Sequence, residues 1–182
     1  MRNWFQRVHL QEPPLAHLLF CDTRTSWVWL IVRVYVGWSW LEAGWGKVTG
    51  GAWIGPKAGA ALSQFIAVAL TKTGGSHPDV QSWYGAFLRS VIVPHTALWS
   101  HVVAFGEVLV GAGLILGAFT GIAAFFGLFM NLNFLLAGAV SINPVLLMLA
   151  ALLMMAWKNA GYLGLDRFLL PWFGVPWRVP KR

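Results

Sequence analysis

From about Ala97 to Gly138 the chain runs apolar for about forty residues, interrupted by one carboxylate, Glu107, and later by Asn131 and Asn133. Crossing a bilayer takes roughly twenty apolar residues, and lipid-exposed backbone must satisfy its own hydrogen bonds as helix or closed barrel. The stretch therefore reads as two membrane helices. A carboxylate near the middle of such a helix costs about 2.5–3.5 kcal/mol unless it is partnered or neutralised. Glu107 is thus the first candidate functional group, and the rest of the chain is where its partners must be sought.

Composition agrees. The 182 residues are 58% hydrophobic and 10% charged, where a soluble domain carries about 25% charged. We expect an all-α integral membrane protein, a bundle of four transmembrane helices. The net charge of +7 comes from cations scattered along the chain, with no basic stripe and no recognition motif, so nucleic acid is not an expected partner. The cations flank apolar spans instead. Cys21 is the single cysteine, which excludes an internal disulfide and a CxxC dithiol.

Residues 1–26 read as an interfacial arm touching lipid headgroups through Trp4, Phe5 and Leu10. The four-helix domain occupies residues 27–165, and residues 166–182 form a basic interfacial tail. The first span, about Trp27 to Trp45, starts after Ser26 as N-cap. Trp27 and Trp29 at one end and Trp40 and Trp45 at the other suggest aromatic belts. Two mixed stripes follow the helical period, one of Arg33, Gly37, Trp40 and Gly44, the other of Tyr35, Ser39, Glu42 and Gly46, and both suit packing against other helices. Between the first and second spans, Ala58 to Leu70 and Val80 to Val93 read as short amphipathic helices at the membrane surface. The second span starts near His95 after Pro94. Gly113, Gly117 and Gly121 offer a small-residue seam for close helix approach, and exposed glycine seams allow a homodimer without demanding one. The third span runs to Gly138, and the fourth runs from Asn143-Pro144 to about Leu165, with Lys158 snorkelling. The arms together hold more cations than the long loop, which places both termini in the cytoplasm.

At ~1.5 Å per residue, Arg33 lies near ~9 Å and Glu107 and Asn131 near ~15 Å from the cytoplasmic helix ends. This predicts an inner polar layer of Arg33, Glu107 and Asn131, and an outer pair of Glu42 and His101 backed by Lys47. The inner layer reads either as a structural ion pair that sets helix register or as a site that binds a polar headgroup or passes a proton. Quinone carbonyls would find donors there, and Trp38, Trp40, Phe105 or Phe134 could wall the ring. His95 and His101 lie six residues apart on one helix, which argues against intrinsic haem. Met154 and Met155 read as packing rather than a metal site.

Three segments resemble a known family. RVYVGWSWLEAGWGKV from Arg33 resembles the opening motif of the DoxX/DoxD family, with Arg33, Gly37, Gly44 and Lys47 at the motif positions. GEVLVGAGLILGAFTGIAA from Gly106 resembles its second signature, and MNLNFLLAGAVSINP from Met130 its third-span segment. The resemblance implies a four-helix membrane protein, related to the membrane subunit of thiosulfate:quinone oxidoreductase and to proteins of quinone and thiol redox homeostasis. It implies a quinone-related site at Arg33, Lys47, Glu107 and Asn133. The two polar layers read from helix depth add Asn131, Glu42 and His101 as further contacts, and the residue spacings point to no metal and no intrinsic cofactor. Electrons would then have to be carried by a partner redox subunit or by the substrate. The alternative is a non-catalytic membrane scaffold or a small-molecule transporter.

Overall fold

The computed structural model describes residues 12–175 and 177. The arm contacts expected at Trp4, Phe5 and Leu10 and the tail cations Arg178, Lys181 and Arg182 lie outside the described residues. Those described form helices joined by short loops, with no strand among them. In order they are α1 (Pro14–Phe20), α2 (Ser26–Thr49), α3 (Ala60–Thr71), α4 (Ser82–Phe87), α5 (Thr96–Leu116), α6 (Thr120–Leu136), α7 (Asn143–Met155), α8 (Trp157–Gly161) and α9 (Asp166–Leu169).

The main core is shared by α2, α5, α6, α7 and α8, around Val36, Trp40, Val110, Leu114, Leu146 and Leu153. Its tightest contact is α2 against antiparallel α5. A Cβ added to Gly111 would stand 2.5 Å from the Leu41 nitrogen, and one on Gly44 would stand 2.7 Å from the Val108 nitrogen. Only glycine lets two helix backbones approach this closely. This seam joins α2 to α5. Of the expected Gly113–Gly117–Gly121 series, Gly113 packs closely on Ala123 of α6 and Gly121 lies under Trp157, whereas Gly117 is the left-handed residue that ends α5 (φ 65°). A second core joins α3 and α4 through Leu62, Ile66, Val80, Tyr84 and Leu88.

Other expectations also change. The amphipathic stretch before Pro94 is not separate from the following span, for helix runs from Ser82 to Leu116. Pro94 has no N–H and would clash with the carbonyl four residues back. A wide π-turn over Leu88–Ile92 and a tight turn over Val93–His95 absorb that fault. The fourth helix breaks at Ala156. Ser26 is not a cap but the buried first residue of α2, with its hydroxyl 2.6 Å from Asn159 Oδ1. Trp29 and Trp40 are buried rather than belted, whereas Trp27 and Trp45 are exposed. Met154 and Met155 are exposed rather than packed.

Ser82–Leu116 is the one helix among the described residues that is long and apolar enough to cross a membrane. The 24-residue α2 is long enough, but its charges and tryptophans lower its hydropathy; α6 and α7 are apolar and shorter.

Candidate functional site

Lys47 stands in the last turn of α2 and Glu107 at the middle of α5. Gly44, one turn before Lys47, brings the α5 backbone so close that a Cβ there would lie 2.9 Å from Glu107 Cβ. The lysine then reaches the carboxylate directly, Nζ to Oε2 at 2.5 Å. The carboxylate is buried and the lysine side chain 20% exposed. The ammonium also lies 5.1 Å from the ring centroid of Trp53, an attraction of the charge to the indole face. Trp53 is itself fixed by Ser100, whose hydroxyl donates to its carbonyl. A lone tryptophan in a glycine-rich loop was the only sequence signal for it.

The expected Arg33–Glu107 layer does not exist. Arg33 stands level with the α5–α6 turn, where its guanidinium occupies the space a side chain on Gly117 would need. Glu107 stands level with Gly44, eleven residues and about 16 Å further along α2. The depth arithmetic assumed that the helices start flush, but α2 begins about two turns below the α5–α6 turn. Its overhanging start is covered by α1 and α8. Arg33 is 1% exposed and donates from Nη2 to the Leu163 carbonyl at 2.9 Å, with Asp166 nearby as counter-charge. That bond ties α2 to the turn after α8, while Nε and Nη1 are buried and find no partner among the described residues.

Asn131 is fully buried, and neither its amide nitrogen nor its oxygen finds a partner among the described residues; Trp40 Nε1 is likewise unpaired. The neighbouring Met130 lies against Gly106, so Asn131 shares the height of Glu107, not of Arg33. The expected Glu42–His101 pair also fails. Glu42 is exposed on the outer face of α2, and His101 Nδ1 donates to the Ala97 carbonyl one turn back. Of the second stripe on α2, Tyr35 and Glu42 are exposed and nothing lies near Gly46.

Asn133 lines a cavity of about 180 Å³ between α3, α4, α5 and α6. Its walls are Phe65, Phe87, Trp99, Phe129, Met130 and Phe134, with Tyr84 beside Asn133 at its polar end. Tyr84 hydroxyl is 3.1 Å from both the backbone oxygen and Oδ1 of Asn133, and Asn133 Nδ2 donates to Phe129. Of the ring walls expected from sequence, Phe134 lines this cavity and Trp40 stacks on Phe134, while Trp38 and Phe105 face outward. Met130 lines the cavity and also lies against Gly106, the neighbour of Glu107 on α5. The comparable cavity volume that holds a benzene ring is about 150 Å³. One six-membered ring fits; a fused bicyclic ring is crowded.

Two further polar residues organise the opposite end. The buried Asp166 carboxylate accepts from the Phe119 and Thr120 amides, at 2.6 and 2.8 Å, and so caps α6 with a negative charge. Asn159 donates to the Leu19 and Asp22 carbonyls and to the Thr25 hydroxyl. Asp22 in turn binds Arg24, whose side chain and backbone N–H hold its carboxyl below the usual carboxylate range. No group of metal-ligating side chains stands together among the described residues.

Residues 28–178 match the family model described as TQO small subunit DoxD. Comparison with curated proteins and with solved structures finds no match.

Proposed function

The chain belongs to the DoxD family, a family of membrane-associated oxidoreductase subunits, and from that premise we propose that it is the quinone-interacting subunit of such a system. In this reading α2, the long helix ending in α5, α6 and the α7–α8 pair are four spans. Their lengths support it: the 17 residues of α6 cover about 25 Å, and residues 143–161 about 28 Å, against a hydrocarbon core of roughly 30 Å. Both termini face the cytoplasm, in keeping with the cations Arg24 and Arg167 at that end.

The observation that carries the reading is the aromatic-walled cavity with one polar end, set against the buried Lys47–Glu107 pair. The quinone is substrate, its ring between Phe65, Trp99 and Phe134, and its carbonyl turned to the Tyr84 hydroxyl and the Asn133 amide. Val102 and Phe129 line the cavity and are half-exposed, leaving an outward path for an isoprenoid tail. Reduction of a quinone needs protons as well as electrons. Lys47 and Glu107 hold a proton between them behind the cavity wall, and Asn131 continues the polar layer inward. The electrons come from a partner subunit, because the described residues offer no redox-active side-chain set.

The test is Glu107→Gln in membranes that contain the partner proteins. We expect thiosulfate- or thiol-dependent quinone reduction to be lost, and unchanged rates would overturn the proposal. The same geometry also favours a second reading, a scaffold in which the pair only fixes helix register, since both charges are already satisfied by each other. That reading expects Glu107→Gln to lower stability in detergent while activity persists.

A further inference from the structure

The outer face of α2 is unlike an ordinary lipid-facing surface. Ile31, Tyr35, Trp38, Glu42, Trp45 and Thr49 follow one another at intervals of four, three, four, three and four residues, and all six are exposed. That alternation puts them on one face of the helix. Inside the molecule α2 packs on α5, α7 and α8, and this stripe faces away from them. Glu42 lies near the middle of the stripe, among aromatic side chains, with no ion pair among the described residues. An ionisable side chain inside a membrane turns toward protein or a water-filled space and pairs there. Gly46 has open space around it, which leaves room for a close backbone.

We propose that this face of α2 docks against an apolar helix of a partner subunit that carries a lysine or arginine at the depth of Glu42. The proposal rests on the reading that α2 crosses the bilayer. A second copy of this chain is the poorer occupant. Symmetric pairing along the stripe sets Glu42 against its own image, two carboxylates in lipid. The cations within the described helices are placed elsewhere: Lys47 is taken by Glu107, Arg33 is buried in its latch, Lys158 and Arg167 lie at the opposite end, and Arg89 lies beyond Pro94, far along the long helix from the level of Glu42. Charge complementarity therefore asks for a basic residue from another polypeptide.

A photo-crosslinking amino acid placed at Trp38 or Trp45, in native membranes holding the whole system, tests this directly. Leu109 and Ile122, exposed on α5 and α6, serve as control positions. The expected result is a protein adduct from Trp38 and Trp45, mapped by mass spectrometry to an apolar segment of another polypeptide with a central Lys or Arg. Glu42→Leu should weaken that adduct at least tenfold, and Glu42→Asp should retain most of it. Because Glu42 is exposed, the purified Glu42→Leu protein should elute and melt like the parent. Adducts to peptides of this same chain, lipid adducts alone at Trp38 and Trp45, or a protein adduct indifferent to Glu42→Leu would each overturn the proposal. The controls separate the two readings. Lipid adducts at Leu109 and Ile122 uphold the crossing of α5 and α6 even if docking fails, lipid adducts in place of protein at Trp38 and Trp45 uphold that of α2, and lipid adducts at none of the four positions defeat the crossing itself.

Discussion

Removing one charge of the Lys47–Glu107 pair and removing both are different experiments. Glu107 is 1% exposed, so Lys47→Met leaves a carboxylate with no counter-charge and no route to water. A survivor of that kind costs about 3 kcal/mol. The reverse change, Glu107→Leu, leaves a lysine already 20% exposed, which can swing its head outward for a cost nearer ~1 kcal/mol. The double variant Lys47→Met/Glu107→Leu should return to within about 1 kcal/mol of the parent, as apolar replacements of buried pairs commonly do. Thermal melts of the three proteins in detergent check the order, and equal losses for the two single variants would show the pair to be better solvated than its geometry indicates. At this scale the sequence was a partial guide. An acid inside an apolar stretch announced Glu107, but its partner depends on how far α2 slides along α5, and neither helix encodes that offset in its own residues. The stripe Arg33, Gly37, Trp40 and Gly44 was legible from period alone, and all four are buried. Tyr84 was not legible, because its place at the cavity follows from helix continuing through Pro94 into α5.

The hairpin of α5 and α6 is held by a group that belongs to neither helix. Asp166 supplies both acceptors for the first amides of α6, and Gly161 must stay bare because a Cβ there would stand 2.5 Å from Oδ2. Asp166→Asn replaces one acceptor with a donor and leaves a buried N–H without a partner, a loss of about 1–3 kcal/mol. Hydrogen exchange should accelerate at residues 117–122 and stay unchanged along the α2–α5 seam, where Gly44 faces Val108 and Gly111 faces Leu41. Equal acceleration in both places would mean that the cap supports the whole bundle rather than one turn. Nothing in the local sequence marks Asp166, since its partners are backbone amides far away in the chain. Elements were more readable than their ends. The residue types of α2, α5 and α6 specify apolar helices, whereas the break at Ala156 comes from tertiary demands: Asn159 turns its amide to Leu19, Asp22 and Thr25, and Gly161 must meet Asp166.

For the molecule as a whole, the proposed four-span arrangement with cytoplasmic termini makes Cys21 a natural reporter. It is the sole cysteine, it is exposed, and its thiol donates to Glu12 at 3.3 Å. A membrane-impermeant maleimide should therefore label it only from the cytoplasmic side, and labelling from the outer face would invert the topology. The pH dependence follows from the thiolate being the reactive form. Burial, and after it the bond to Glu12, push the thiol above its ordinary value. Labelling at neutral pH should accordingly be slower than for a free thiol and should climb as pH rises past the ordinary thiol range. Glu12→Gln should quicken it several-fold at a fixed mildly alkaline pH.

The latch at Arg33 bears on how the protein is made. Its bonded partner, the Leu163 carbonyl, is synthesised 130 positions later, and the carboxylate that finishes the start of α6 comes 46 positions after the first residue of that helix. A ribosome that has delivered α2, α5 and α6 to the membrane has thus delivered helices whose lower ends are still open, with a buried guanidinium awaiting its acceptor. Truncation after α7 would strand the nascent chain in that state and expose it to quality-control proteolysis.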